Sequence, residues 1–87
     1  MAIKLEVFST SSCPHCPGAI EAAERMKEKY GDEIDLDLVK IDENEENYKR
    51  AIEYGIMAVP NFVINGEVLQ PGALPDDYLI EKLESLM

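Results

Sequence analysis

The chain is poor in basic residues and has no long apolar run. Lysine and arginine supply only 8 of its 87 residues, against 18 aspartates and glutamates, so the formal net charge is −10 at pH 7. Such a surface repels nucleic acid and anionic lipid, and we expect neither as a partner. No stretch approaches the ~20 apolar residues of a membrane helix, and Lys4 and Glu6 interrupt the N-terminal segment that a signal peptide would need. The sequence therefore predicts a cytoplasmic protein.

Cysteine and histidine are also scarce. Cys13, Cys16 and His15 are the only thiol or imidazole ligands in the chain. A structural zinc site needs four ligands, so a closed zinc site within one chain is nearly excluded, although a site shared by two chains or a transient copper site is not. A disulfide between Cys13 and Cys16 would close a very short loop and remove little entropy from the unfolded chain. Such a disulfide would therefore contribute little to the stability of the fold.

Apolar periodicity predicts the order of the secondary-structure elements. Hydrophobic residues make up 46% of the chain, which argues against disorder, and the length suits one domain over residues 1–87. The predicted order is βαβαββα, an α/β fold with a four-stranded mixed sheet flanked by three helices. The predicted elements are a strand over Ile3–Phe8, a helix from the cysteines to Tyr30, a strand over Ile34–Ile41, a helix over Asn44–Tyr54, a hairpin about Asn65-Gly66 and a helix from Pro75.

The two cysteines stand where the first strand gives way to the first helix. Unpaired backbone N–H groups and the positive end of the helix dipole favour an anion there, so we expect a stabilised thiolate at Cys13. Cys16, one turn further along, can reach the same sulfur and is placed to resolve a mixed disulfide. A Cys-x-x-Cys pair that opens a helix after a strand is typical of a redox pair.

Pro14 and His15 lie between the cysteines and are predicted to modulate Cys13. A protonated or N–H-donating imidazole would lower the pKa of the Cys13 thiol and make the disulfide more oxidising. If Cys13 is the N-cap, Pro14 fits the first helical position, where its missing N–H would have had no partner. Pro17 then removes the donor that would bond to the Cys13 carbonyl, which leaves that carbonyl free or moves the helix start inward.

Two stretches carry a resemblance to a known family: FSTSSCPHCPGA at the strand-helix junction and MAVPNFVINGEVLQPGAL before and through the hairpin. With the element order, they make the chain resemble a small member of the thioredoxin and glutaredoxin superfamily over essentially its whole length. The resemblance implies a thioredoxin-like fold and disulfide-containing protein substrates. It also implies that Pro60 is cis and packs against the disulfide, and that Ala58, Val59 and Gly72 help to bind substrate, with Val59 using main-chain hydrogen bonds.

The chain departs from these relatives in three places. Thioredoxins carry a buried aspartate where this chain has Val7, so the Cys16 proton must pass elsewhere, through water, His15 or Glu6. The tryptophan before the motif is absent, and the Pro-His pair resembles that of periplasmic thiol oxidants, which indicates a raised reduction potential. QPGALPDD lacks the glutaredoxin segment that holds glutathione. The resemblance is therefore closer to thioredoxin and implies a thioredoxin-reductase-like flavoprotein as electron donor.

Three functions fit these features. The leading hypothesis is a monomeric thiol-disulfide oxidoreductase without a cofactor, in which Cys13 attacks and Cys16 resolves. One alternative is a soft-metal carrier or sensor that holds Cu(I) or zinc with Cys13, Cys16 and His15. Another is a thioredoxin-like adaptor that binds partners through the groove at Pro60 and uses redox state as a switch.

Overall fold

The computed structural model describes residues 2–87 as four strands, three helices and one 3-10 turn. This order confirms the βαβαββα prediction, with the ends of the first two strands shifted by one residue. Within the described residues, no helix is both long and apolar enough to cross a membrane. The elements are β1 (Ile3–Ser9), α1 (Cys16–Tyr30), the 3-10 turn (Gly31–Glu33), β2 (Ile34–Lys40), α2 (Glu45–Tyr54), β3 (Asn61–Ile64), β4 (Glu67–Val68) and α3 (Asp76–Glu84).

One mixed sheet carries the strands in the order β2-β1-β3-β4. β1 and β2 run parallel, with Ser9 opposite Lys40 at their ends, whereas β3 is antiparallel to β1 and β4 to β3. Parallel neighbours need a long crossover, which α1 supplies, and their carboxyl ends meet at one edge of the sheet. The loops after Ser9 and Lys40 therefore start side by side, and the first of them carries Cys13 and leads into α1 at Cys16.

The two faces of β1 pack against different helices. Leu5 and Val7 belong to a core with α1 and α3, while Phe8 belongs to a second core with Ala51 of α2. Each such side chain contributes ~1.5–3 kcal/mol by leaving water, Ala51 excepted because of its size. Side chains alternate along a strand, so Glu6 shares the α2 face with Phe8. The sheet thus separates α1 and its cysteine from α2.

Local interactions fix the start of α2 and the hairpin turn. Asn44 is the N-cap of α2, and its side chain accepts a hydrogen bond at 2.8 Å from the amide three residues further on. The helix therefore begins one residue later than predicted. Asn65 and Gly66 have φ values of +50° and +84°, which confirms the predicted two-residue turn.

Candidate active site

Cys13 and Cys16 are joined by a disulfide, with their Cα atoms 5.4 Å apart. Cys13 lies in the loop after β1 and is partly exposed, whereas Cys16 is only 2% exposed. One accessible and one buried cysteine suit a nucleophile that meets the substrate and a resolving thiol behind it. The structure thus joins the two residues that the sequence predicted to react with each other.

The helix starts further in than Cys13, which is one of the two outcomes predicted from Pro17. α1 begins at Cys16, so Cys13 is not the N-cap and Pro14 is not the first helical residue. His15 is the N-cap, with φ −97° and ψ −11°. The Ala19 N–H donates to the His15 carbonyl at 3.4 Å, which closes the first turn.

Pro17 accounts for this shift. It has no N–H, so a helical turn that closed on the Cys13 carbonyl would lack its donor. As the second helical residue, Pro17 costs little, because the first four amides of a helix have no intrahelical partner. Pro14 consequently lies in the loop between the cysteines, where its ring fixes one backbone angle.

Both sulfurs still lie at the N-terminus of α1. Cys16 is the first helical residue and the sulfur of Cys13 is bonded to it, so the positive end of the helix dipole faces the pair. Such an environment favours a thiolate. His15 is exposed, and its side chain makes no capping hydrogen bond among the described residues. Its effect on Cys13 stays a prediction.

The cysteine loop is tied to the loop after β2. Ser11 donates to the Asp42 carboxylate from its hydroxyl and from its backbone N–H, the latter at 3.1 Å. These bonds hold the pKa of the Asp42 carboxyl below its usual range because they stabilise the ionised form, the hydroxyl most. Sequence reasoning missed this pair. The parallel pairing of β1 with β2 was the available signal, since it brings the two loops together.

Neither Glu6 nor Val7 can take the role of the buried aspartate that thioredoxins carry near the cysteines. Val7 takes that position in the core beneath α1 and has no proton acceptor. Glu6 is the one buried carboxylate among residues 2–87, but it lies on the opposite face of the sheet. Arg50 and Tyr54 of α2 donate hydrogen bonds to it there. Glu6 is therefore not placed to accept the proton of a cysteine on α1.

The peptide bond between Val59 and Pro60 is cis, as the resemblance implied. Pro60 is buried, and its carbonyl accepts a hydrogen bond from the Gly72 N–H at 2.8 Å. Gly72 has φ +113°, a conformation that favours glycine. Ala58 is exposed, and within residues 2–87 the main chain of Val59 forms no hydrogen bond. The structure thus brings Pro60 and Gly72 together and leaves the backbone before Pro60 free to pair.

A groove of about 300 Å³ joins the cis-proline loop to the cysteine loop. Its lining includes Ala58, Val59 and Thr10, and the Thr10 carbonyl accepts a hydrogen bond from the Cys13 N–H at 3.4 Å. A larger cavity, about 560 Å³, lies beside Glu6 on the α2 face and is lined mainly by charged side chains. The smaller groove reaches the cysteine loop at Thr10 and the cis-proline loop at Val59.

Comparison with known proteins places these features in a family. A model of the thioredoxin domain matches residues 1–85. The chain is 41% identical over 87 residues to a probable thioredoxin of Methanothermobacter thermautotrophicus, covering 100% of this chain and 99% of that protein. It is 38% identical over 82 residues to a thioredoxin of Methanocaldococcus jannaschii, covering 94% and 93%.

Solved structures with low sequence identity share the fold. Thioredoxin-2, a component of malaria parasite protein secretion machinery, matches with a TM-score of 0.82 at 19% identity, over 97% of this chain and 82% of that one. A second malarial protein matches with a TM-score of 0.82 at 18% identity, over 98% and 97%. These matches confirm the thioredoxin-like fold. With the domain model and the archaeal relatives, they show that the chain belongs to the thioredoxin family and lies closer to thioredoxin than to glutaredoxin.

Proposed function

We propose that this protein reduces or exchanges disulfide bonds in other proteins, with Cys13 as nucleophile and Cys16 as resolving thiol. Membership of the thioredoxin family and the joined cysteines support a thiol-disulfide oxidoreductase. The observation that carries the proposal is the position of the pair. A partly exposed and a buried cysteine meet at a helix N-terminus, and the loop that carries Cys13 borders, at Thr10, a groove that leads to the cis-proline loop.

The reaction starts from the reduced pair. The Cys13 thiolate attacks one sulfur of the substrate disulfide, forms a mixed disulfide and expels the other substrate sulfur as a thiolate, which takes up a proton. Cys16 then loses its proton and attacks the Cys13 sulfur, which releases the second substrate thiolate. The substrate gains two electrons and two protons, and the pair becomes the disulfide. A thioredoxin-reductase-like flavoprotein would return both electrons, and Cys16 would take up one proton to restore the reduced pair with its Cys13 thiolate.

Four residues outside the pair are proposed to hold the substrate. The unpaired main chain of Val59 offers an N–H and a carbonyl to an extended substrate segment, as in strand addition. Ala58 leaves room beside it, and Pro60 with its partner Gly72 fixes the loop. Substrate backbone bound this way would present its disulfide to the neighbouring cysteine loop.

Modulation of the pair is also part of the proposal. Pro14 restricts the loop between the cysteines, and an imidazole at His15 stabilises the Cys13 thiolate when it is charged or donates its N–H. Since no buried carboxylate lies on the α1 face among residues 2–87, the Cys16 proton passes to water or to His15.

The soft-metal alternative gains no support from the described residues. Within residues 2–87, no three His, Cys, Asp or Glu side chains are grouped to hold a metal ion.

Reduction of insulin with dithiothreitol tests the proposal. We expect Cys13→Ser to abolish turnover above the uncatalysed rate, while Cys16→Ser forms a mixed disulfide that persists and is visible on a non-reducing gel. Ser12→Ala, an exposed neighbour of Cys13, is the matched control and should keep its activity. Turnover by Cys13→Ser equal to that of the parent would refute the assignment.

A further inference from the structure

We propose that Tyr48, Ile52 and Met57 extend the substrate groove and bind a large apolar side chain close to the disulfide of a basic protein substrate. We call these three residues the α2 apolar face. The proposal rests on the proposed function, since it names the class of substrate that the cysteine pair receives. It concerns side chains of α2 and the following loop that the redox chemistry itself does not require.

All three apolar side chains of the α2 apolar face are more than half exposed to solvent. Tyr48 is 56% exposed, Ile52 58% and Met57 98%, and all three line the same 300 Å³ groove. Tyr48 and Ile52 lie four residues apart, so they stand on one side of the helix. Single exposed apolar residues need no explanation, but three on one concave surface indicate a contact with another molecule.

Folding does not account for these side chains. Ala51 is the buried residue of α2, and the helix is held to the sheet mainly through Arg50 and Tyr54, which hydrogen-bond to Glu6. Tyr48 and Ile52 take no part in those bonds. A polar residue at either position would leave the anchoring of α2 intact, so their apolar character points to binding.

The groove is continuous with the proposed reaction site. It includes Ala58 and Val59, whose backbone is proposed to pair with substrate, and Thr10, whose carbonyl is bonded to the Cys13 amide. A substrate segment paired with Val59 therefore lies beside the α2 apolar face. The apolar side chain that enters the groove belongs to a residue near the attacked cysteine in the substrate sequence.

The negative charge on and beside α2 favours a basic partner. Arg50 does not offset the local negative charge, because its guanidinium is paired with both Glu6 and Asp37. A cationic substrate would be attracted to such a surface, more strongly at low salt. The exposed charges in and beside α2 are five carboxylates, Asp42, Glu43, Glu45, Glu46 and Glu53, against the two lysines Lys40 and Lys49.

Single-turnover kinetics with synthetic peptides test this inference. The probe peptide has an internal disulfide, a leucine beside one cysteine and a lysine at each end. A second peptide replaces leucine with serine, and a third replaces the lysines with glutamates. The reduced protein is mixed with each peptide, and the second-order rate constant for its oxidation is measured after acid quenching. We expect the parent to react about tenfold faster with the probe than with either other peptide. In 0.5 M NaCl, the ratio of the rate constants for the lysine and glutamate peptides should become smaller.

The double variant Tyr48→Ser/Ile52→Ser should lose the leucine preference while it reacts with the serine peptide at the parent rate. Leu86→Ser, which removes an equally accessible apolar side chain outside this groove, is the control and should keep the preference. A double variant with an undiminished leucine preference would overturn the inference. The same follows if the parent discriminates among none of the peptides, a result that does not depend on any variant folding.

Two further outcomes are distinguishable. If the parent oxidises with no peptide, the proposed function itself fails, whereas reaction without preference leaves it standing and removes only the docking face. A dimer in sedimentation that dissociates in Tyr48→Ser/Ile52→Ser would assign the face to a second copy of the chain and overturn the inference.

Discussion

The Glu6 carboxylate on β1 and the Arg50 guanidinium on α2 form an ion pair across the sheet-helix interface. Glu6 is 2% exposed, and its second oxygen accepts a hydrogen bond from the Tyr54 hydroxyl at 2.8 Å. Arg50 also donates to Asp37 on β2 at 2.8 Å. Because Ala51 is the buried residue of α2, these polar bonds carry much of the attachment of the helix to the sheet.

The two partners of this pair are expected to respond unequally to mutation. Arg50→Met leaves the buried Glu6 charge without its cation and should lower the free energy of unfolding by ~3 kcal/mol. Glu6→Gln keeps the shape and leaves Arg50 bonded to Asp37, so we expect a smaller loss, ~1–2 kcal/mol. Urea denaturation at pH 7 measures both. Lys49→Met, an exposed cation on the same helix, should change stability by less than ~0.5 kcal/mol, and an equal loss in Lys49→Met and Arg50→Met would contradict the prediction.

Tyr54 makes stability depend on alkaline pH. Its hydrogen bond to the Glu6 carboxylate, followed by burial, raises the pKa of the phenol. The neutral phenol is the stabilised form, so its contribution is complete below the unfolded pKa of ~10 and is lost as pH rises through the higher folded value. We expect Tyr54→Phe to show a shallower fall in stability above pH 10. Ultraviolet titration should show that Glu6→Gln brings one phenolate to lower pH, and an unchanged curve would remove this coupling.

The hydrogen bonds between Ser11 and Asp42 should make the cysteine loop sensitive to acidic pH. The hydrogen bonds from Ser11, which we call the Ser11–Asp42 tether, lower the pKa of the Asp42 carboxyl. The contribution of this tether to folding stability is therefore complete above the unfolded pKa of ~3.9 and is lost as pH falls through the folded pKa. In NMR spectra, the Ser11 amide should keep its hydrogen-bonded shift down to that acidic range. Asp42→Ala should abolish the shift at pH 7, whereas Glu43→Ala, an exposed neighbouring carboxylate, should not. An unshifted Ser11 amide in Asp42→Ala would disprove the tether.

His15 is expected to tune the thiolate. Replacing it with alanine should raise the pKa of the Cys13 thiol and make the disulfide less oxidising, because a donor to the thiolate is lost. Absorbance of the thiolate at 240 nm and redox equilibrium with glutathione measure the two effects. Ser12→Ala, on the other side of Cys13, is the control. Identical titrations for the parent and His15→Ala would remove the imidazole from the mechanism.

Two glycines should respond with opposite signs to alanine. Gly72 has φ +113°, where a Cβ is strained, so Gly72→Ala should cost ~1–2 kcal/mol and weaken protein-disulfide reduction by shifting the bond to Pro60. Gly18 lies in α1, and a Cβ there would meet nothing within 4 Å. Gly18→Ala should therefore stabilise by up to ~1 kcal/mol, since alanine is the better helix former. Urea midpoints that move in the same direction would show that backbone conformation is not the cause.

The sequence predicts those structural features that are set by residues close together in the chain. Alternation in β1 and the Asn65-Gly66 turn are short-range signals, and both elements form where they were predicted, although Glu6 is buried against α2. The start of α1 was left open between Cys13 and a position further in, because either Pro14 or Pro17 can stand in a first helical turn. Choosing between them needs the path of the loop after β1, which tertiary contacts decide.

Long-range polar pairs were missed for a different reason. Ser11 and Asp42 are 31 residues apart, and Glu6 and Arg50 are 44 apart. In the chain, each of these side chains is one of many exposed-looking polar residues with no distinguishing pattern. Their pairing follows from strand order, since β1 beside β2 brings the loops together and α2 across β1 covers Glu6.

The helix start at Cys16 divides the redox pair between two kinds of backbone. Cys16 is held by the helical hydrogen bonds that follow it, whereas the backbone of Cys13 is restrained by a single long bond to Thr10 and, through Ser11, by Asp42. In the proposed reaction, Cys13 can therefore move toward a substrate disulfide without unwinding any helix, while Cys16 keeps its place at the start of α1.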